Sequence, residues 1–130
     1  MFKTVLFSLD LTREARKAIE VTADLVRTYN SKLIILSVVE TDTSGAMSSE
    51  SQVEKLLAQA KAFFAQQGIT AETVEREGIP SFIICDVADE MNANLIIMGC
   101  RGLGLVEEAA QDSVTSRVIN LAPCPVLVIP

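Results

Sequence analysis

Histidine is absent from all 130 residues. That removes the commonest general base near neutral pH, the commonest metal ligand, and the Ser-His and Cys-His nucleophile pairs. Any catalysis would fall to carboxylates, lysine, Tyr29 or a metal held by oxygens. Tryptophan is missing too, and aromatics make up only 5% of the chain, so the core must be built from Val, Ile, Leu and Ala. No apolar run approaches the roughly 20 residues of a spanning helix. The opening "MFKTVLFSLD" has a short apolar run with no cleavage-site pattern behind it. No membrane role is expected, and the expected location is the cytoplasm.

Basic charge is also scarce. Eleven Lys and Arg face seventeen Asp and Glu, for a net charge of −6. The basic residues are scattered, and a nucleic-acid groove needs them clustered. Nucleic acid is therefore excluded as a main partner, and the acidity reads as solubility. There are three cysteines, Cys85, Cys100 and Cys124, an odd number with no C-x-x-C pair. This fits reduced thiols in the cytosol. Cys85 and Cys124 stand in apolar surroundings and are expected in the core. Cys100 has only Arg101 beside it to lower its pKa.

What is present is apolar and periodic. Apolar residues make up 49% and charged residues 22%, the balance of a globular chain. The length suggests one domain, residues 1–130, large enough to hide roughly two thirds of its unfolded surface. "TVLFSL" (4–9), "KLIILSVVE" (32–40), "NLIIMG" (94–99) and "CPVLVIP" (124–130) read as strands, with "TAETVERE" (70–77) a more polar strand suited to a sheet edge. Between them, 12–30, 52–68, 80–93 and 113–122 carry helical spacing, with Thr12 as an expected N-cap, Asn30 and Gly68 as stops, and Pro80 in a first turn. The alternation β-α-β-α-β-α-β-α-β with continuous apolar strands predicts a doubly wound parallel α/β sheet with helices on both faces. Ligands in such sheets bind at the carboxyl ends of the strands, here "LDLT" (9–12), "SVVE" (37–40) and "MGCRGLG" (98–104).

Two features there invite chemistry. The loop "GCRGLGLVEEAAQDSV" (99–114) is glycine-rich between a strand and a helix, where backbone N–H groups commonly cradle phosphate. It is neither a Walker A motif, since no Lys-Ser/Thr pair follows, nor a dinucleotide fingerprint, which belongs at the first strand. On spacing alone a plain crossover loop and a phosphate cradle both stay open. Asp10 closes the first strand, where a carboxylate can accept from a ribose hydroxyl or a base amino group, hold Mg²⁺, or simply begin a turn. A phosphorylated receiver aspartate is disfavoured: such domains need a further acidic pair by the first strand and a lysine after the last loop, and neither is present.

The run "LIIMGCRGLG…DSVTSRVINLAPCPVLVIP" resembles the end of a universal stress protein domain. That family's signature is Gly, two residues, Gly, nine residues, then Gly and Ser/Thr. Gly99 and Gly102 match, and Asp112–Ser113 occupies the Gly–Ser place. The opening strand, Asp10 and Thr12 resemble the family's "VDGS" start, with Leu11 where glycine is usual, and "EGIPSFIICDVADEMNANLIIMG" resembles its third helix and fourth strand. The likeness spans the whole chain. It implies a five-stranded sheet of order 3-2-1-4-5 and a homodimer joined through the last strand, Pro125 to Pro130, which otherwise reads as an ordinary final strand. The family includes members that bind ATP and members that do not. In binders, the positions matching Asp10 and Val38 hold the nucleoside. Those matching Met98, Gly99, Arg101, Gly102, Ser113, Val114 and Thr115 hold the phosphates.

Asp112 departs from the pattern. Glycine there lets the backbone approach a phosphate, whereas an aspartate caps the helix and is favoured by the positive end of its dipole. The expectation is that Asp112 blocks the phosphate site, with Glu107 and Glu108 adding like charge and Arg101 alone offsetting it; the plainer reading is a good cap on a helix that never met a phosphate, and both point away from tight ATP binding. The leading expectation is a small, cytosolic, dimeric stress-response or regulatory module, not an enzyme. Its adenine-nucleotide-type pocket would bind ATP weakly or not at all. Two alternatives stay open: an ATP- or AMP-binding switch with slow hydrolysis, using Mg²⁺ to bridge aspartate and phosphate, and a pure protein-interaction dimer with an unidentified protein partner and a vestigial pocket. No catalytic residue and no metal site is assigned.

Overall fold

A computed structural model describes residues 1–10, 15–40, 50–99 and 114–130. The strands are β1 (Thr4–Ser8), β2 (Lys32–Glu40), β3 (Ala71–Gly78), β4 (Leu95–Gly99) and β5 (Val126–Ile129); the helices are α1 (Ala15–Tyr29), α2 (Glu50–Gln66), α3 (Pro80–Glu90) and α4 (Val114–Leu121). All strand pairs are parallel, in the order β3-β2-β1-β4-β5. This is the doubly wound five-stranded sheet that the alternation and the resemblance implied.

Strand alternation sorts the continuous apolar runs into two cores. Val5, Phe7, Leu33, Ile35, Leu95 and Ile97 pack with α1 and α2 through Ala18, Val26, Leu57 and Phe64. Leu6, Ile34, Leu36, Ile96 and Met98 pack on the opposite face with Ile84 and Val87 of α3 and Val118 of α4. With so few aromatics, the one fully buried aromatic contact is notable among the described residues: Phe7 meets Phe64 edge to face at 6.2 Å. The outer strand β3 exposes Glu72, Glu75 and Glu77, charge that discourages another strand from pairing there.

Three helices stop by the same device. Asn30, Gly68 and Asn92 each take a positive φ, of 53°, 78° and 53°. The N–H of the next residue then reaches back five positions: Ser31 to Val26, Ile69 to Phe64 and Ala93 to Ala88, at 2.9–3.0 Å. This left-handed stop satisfies helix-end carbonyls and turns the chain into the following strand or its approach. Asn30 and Gly68 act as the stops expected of them. The third helix ends at Glu90 rather than 93, because Asn92 takes the same role. Likewise β4 begins at Leu95, not 94: the Asn94 side chain accepts from the Thr4 N–H at 2.8 Å, securing the start of β1. β5 begins only after Pro125, which has no N–H to give to a ladder, although its carbonyl still accepts from the Ile96 N–H at 3.0 Å. Thr12 lies outside the described residues.

Candidate functional site

The sheet changes direction between β1 and β4. From β1 the chain passes to β2 by way of α1 on one face; α4, which leads from β4 to β5, lies on the other. Their carboxyl ends therefore part and leave a crevice, the usual ligand position in such sheets. Its described lining is Ser8, Leu9 and Asp10 from β1 and its exit, Val38 and Glu40 from β2, Pro80 and Ile84 from α3, and Met98, Gly99 and Val114 around the β4–α4 side. It encloses about 350 Å³, its solvent-open mouth included.

The chemistry of the lining is mixed. Val38 and Met98 are almost fully buried and, with Ile84 and Pro80, give apolar walls. Asp10 and Glu40 bring two carboxylates to one rim, and both are engaged by other groups of the chain. The exit of β1 is closely held. The Leu9 N–H donates to the Leu36 carbonyl, and the buried Ser37 hydroxyl donates to the Leu9 carbonyl, each at 2.9 Å. On the far side, the Thr115 hydroxyl donates to the Gly99 carbonyl at 3.4 Å, tying the first turn of α4 to the end of β4.

Of the residues read from the sequence, Asp10, Val38, Met98, Gly99 and Val114 meet in this crevice, and Thr115 bonds to its edge. Arg101, Gly102, Asp112 and Ser113 lie outside the described residues, as do Cys100, Glu107 and Glu108. Glu40, Pro80 and Ile84 join the crevice without a motif to mark them. Glu40 ends the "SVVE" run already marked as a strand terminus, so its place was readable. Pro80 and Ile84 were not, because only the packing of α3 against β2 brings them to the crevice.

Cys85 is buried in the α3–α4 core, and Cys124, half-buried, packs against it. Burial pushes the Cys85 thiol pKa up, helped by the Asp86 carboxylate and by Cys124; burial alone raises that of Cys124. Neither has the lowered pKa of a reactive thiol. Among the described residues no group of three or more Cys, Asp or Glu side chains converges to hold a metal ion. No described helix is long and apolar enough to cross a membrane.

The family model of the universal stress protein family matches residues 1–130. The chain belongs to that family. A universal stress protein of Synechocystis sp. is 60% identical over all of this chain and 87% of its own length. Among solved structures, a universal stress protein in complex with cAMP aligns with a TM-score of 0.80 at 23% identity, over 98% of this chain and 97% of its own. The universal stress protein of Archaeoglobus fulgidus in complex with dAMP aligns with a TM-score of 0.76 at 20% identity, over the whole of both chains. At such identities the likeness to these two is one of fold.

Proposed function

We propose that this universal stress protein is a non-enzymatic regulatory module of the cytoplasm, a homodimer that takes an adenosine monophosphate in the β1–β4 crevice and binds ATP weakly or not at all. The observation that carries the reading is the convergence of Asp10, Val38, Met98, Gly99 and Val114, far apart in sequence, on one crevice at the switch point of the sheet. Val38, Met98, Pro80 and Ile84 offer apolar walls for a base. Asp10 and Glu40 offer acceptors for ribose hydroxyls or an exocyclic amino group. The same two carboxylates, with Asp112 ahead of α4, disfavour a long run of phosphates. Compact nucleotides fit this balance, and cAMP and dAMP, the ligands of the two solved relatives, each carry a single phosphate.

Titration calorimetry with AMP, ADP and ATP, with and without Mg²⁺, tests the reading. AMP is expected to bind more tightly than MgATP. Tight MgATP binding that Asp112→Gly leaves unchanged would overturn the blocked phosphate site. No heat with any nucleotide would favour the interaction dimer with a vestigial pocket, and steady phosphate release from ATP would revive the enzyme.

The dimer is supported by the contrast between the two sheet edges. β3 is charged, whereas β5 carries half-buried Val126, Leu127 and Val128, and Ile119 and Leu121 of α4 are exposed nearby in the chain. A second copy pairing along β5 would cover that edge. Sedimentation should show a dimer that Leu127→Lys splits; a monomeric wild type would refute the pairing.

A further inference from the structure

Ser37 is a polar residue inside the apolar run of β2, and it is completely buried. A buried hydroxyl is costly unless it is bonded, and this one donates to the Leu9 carbonyl at 2.9 Å. Leu9 lies just past the end of β1, yet its N–H still donates to Leu36 at 2.9 Å and its side chain is buried. Both backbone polar groups of Leu9 are thus tied to successive residues of β2. The Leu9 carbonyl shares a rigid peptide plane with the Asp10 N–H, so fixing one fixes the direction in which the chain delivers Asp10. Ser37 is itself followed directly by Val38. One buried hydroxyl therefore spans the two residues, Asp10 and Val38, that stand on the β1 and β2 walls of the crevice.

We propose that Ser37 is a positioning residue for this site: its hydroxyl sets the place of Asp10 relative to Val38, and so the affinity for a nucleoside monophosphate. The ligand half of this inference rests on the function proposed above; the geometric half does not. Ser37 need not touch the ligand, and acts through Asp10.

The test is a double-mutant cycle read by NMR titration with AMP, on wild type, Ser37→Ala, Asp10→Ala and the double variant. Ser37→Ala should weaken AMP binding roughly three- to tenfold, the worth of one hydrogen bond. That loss should vanish when Asp10 is already alanine. An equal loss in both backgrounds, or no loss at all, overturns the proposal, since a purely structural serine would act independently of Asp10. Ser37→Cys, a weaker donor of similar size, should fall between serine and alanine, and it carries the cycle if the alanine variant does not fold. A ligand-free crystal structure of whichever variant folds separates the two halves. Asp10 displaced from its wild-type place supports the positioning role, and Asp10 unmoved overturns it. A wild type that shows no response to AMP refutes the nucleotide reading instead, and the ligand-free structure then decides the geometric half alone.

Discussion

The Thr115 hydroxyl donates to the Gly99 carbonyl at 3.4 Å, so the first turn of α4 is bonded directly to the residue that opens the glycine-rich loop. Thr115 is buried, and its partner is the last residue of β4. The contact is long, so its worth lies at the low end for a hydrogen bond. Thr115→Val keeps the shape and removes the donor. It should cost about 0.5–1 kcal/mol of stability, read as a lower urea midpoint at unchanged slope. An unchanged midpoint would show that the contact contributes nothing.

Gly78 ends β3 opposite Glu40, at a φ of +149°. A Cβ there would stand 2.9 Å from Cγ1 and 3.0 Å from Cδ1 of Ile83. Both the backbone angle and the contact oppose a side chain. Gly78→Ala should destabilise by about 1–3 kcal/mol. Because the strain falls between Glu40 and Pro80, AMP affinity should fall in the same variant. Full stability in thermal melts would mean that the β3–α3 turn relaxes freely.

Asp112 stands where the family pattern places glycine, two residues ahead of α4. A carboxylate near a helix N-terminus is stabilised by about 0.3–1 kcal/mol, and it repels a phosphate from the same place. Asp112→Gly should therefore lower the melting temperature slightly while tightening MgATP binding about tenfold, with AMP little affected. An unchanged ratio of ATP to AMP affinity would falsify the blocking role.

The two described thiols make stability depend on alkaline pH. Cys85 and Cys124 have pKa values raised in the folded state, chiefly by burial. Thiols in the unfolded chain ionise first, near the ordinary value of about 8.5. The stabilising contribution is thus complete below that value and is lost as pH climbs through it toward the folded values. In a Cys100→Ser background, the urea midpoint should fall above about pH 8.5, and thiol reagents should label the native protein slowly at neutral pH. A midpoint that rises with pH in that range would contradict the sign.

The fold was legible because its signals are local. Continuous apolar strands, helical spacing, and stops at Asn30 and Gly68 follow from side-chain volume and backbone preference within a few residues. The polar pattern of β3 likewise marks it as a sheet edge. Element ends were less legible. Asn92 takes the left-handed turn, and Asn94 holds the start of β1 through the Thr4 N–H, a partner that the spacing of apolar residues does not report.

Local patterns along the chain suffice for the layered parallel sheet, the aliphatic core, the exclusion of histidine chemistry, and Asp112 as the residue that departs from the family pattern. Each follows from composition or from neighbours along the chain. It takes the folded sheet to bring Pro80, Ile84 and Glu40 into one crevice with Asp10 and Met98, and to carry Ser37 to the Leu9 carbonyl 28 positions away. Those relationships depend on strand order and register. The crevice opens where the β1 and β4 connections part to opposite faces of the sheet, and the Ser37–Leu9 bond forms where β2 pairs with β1; in neither case are the partners neighbours along the chain.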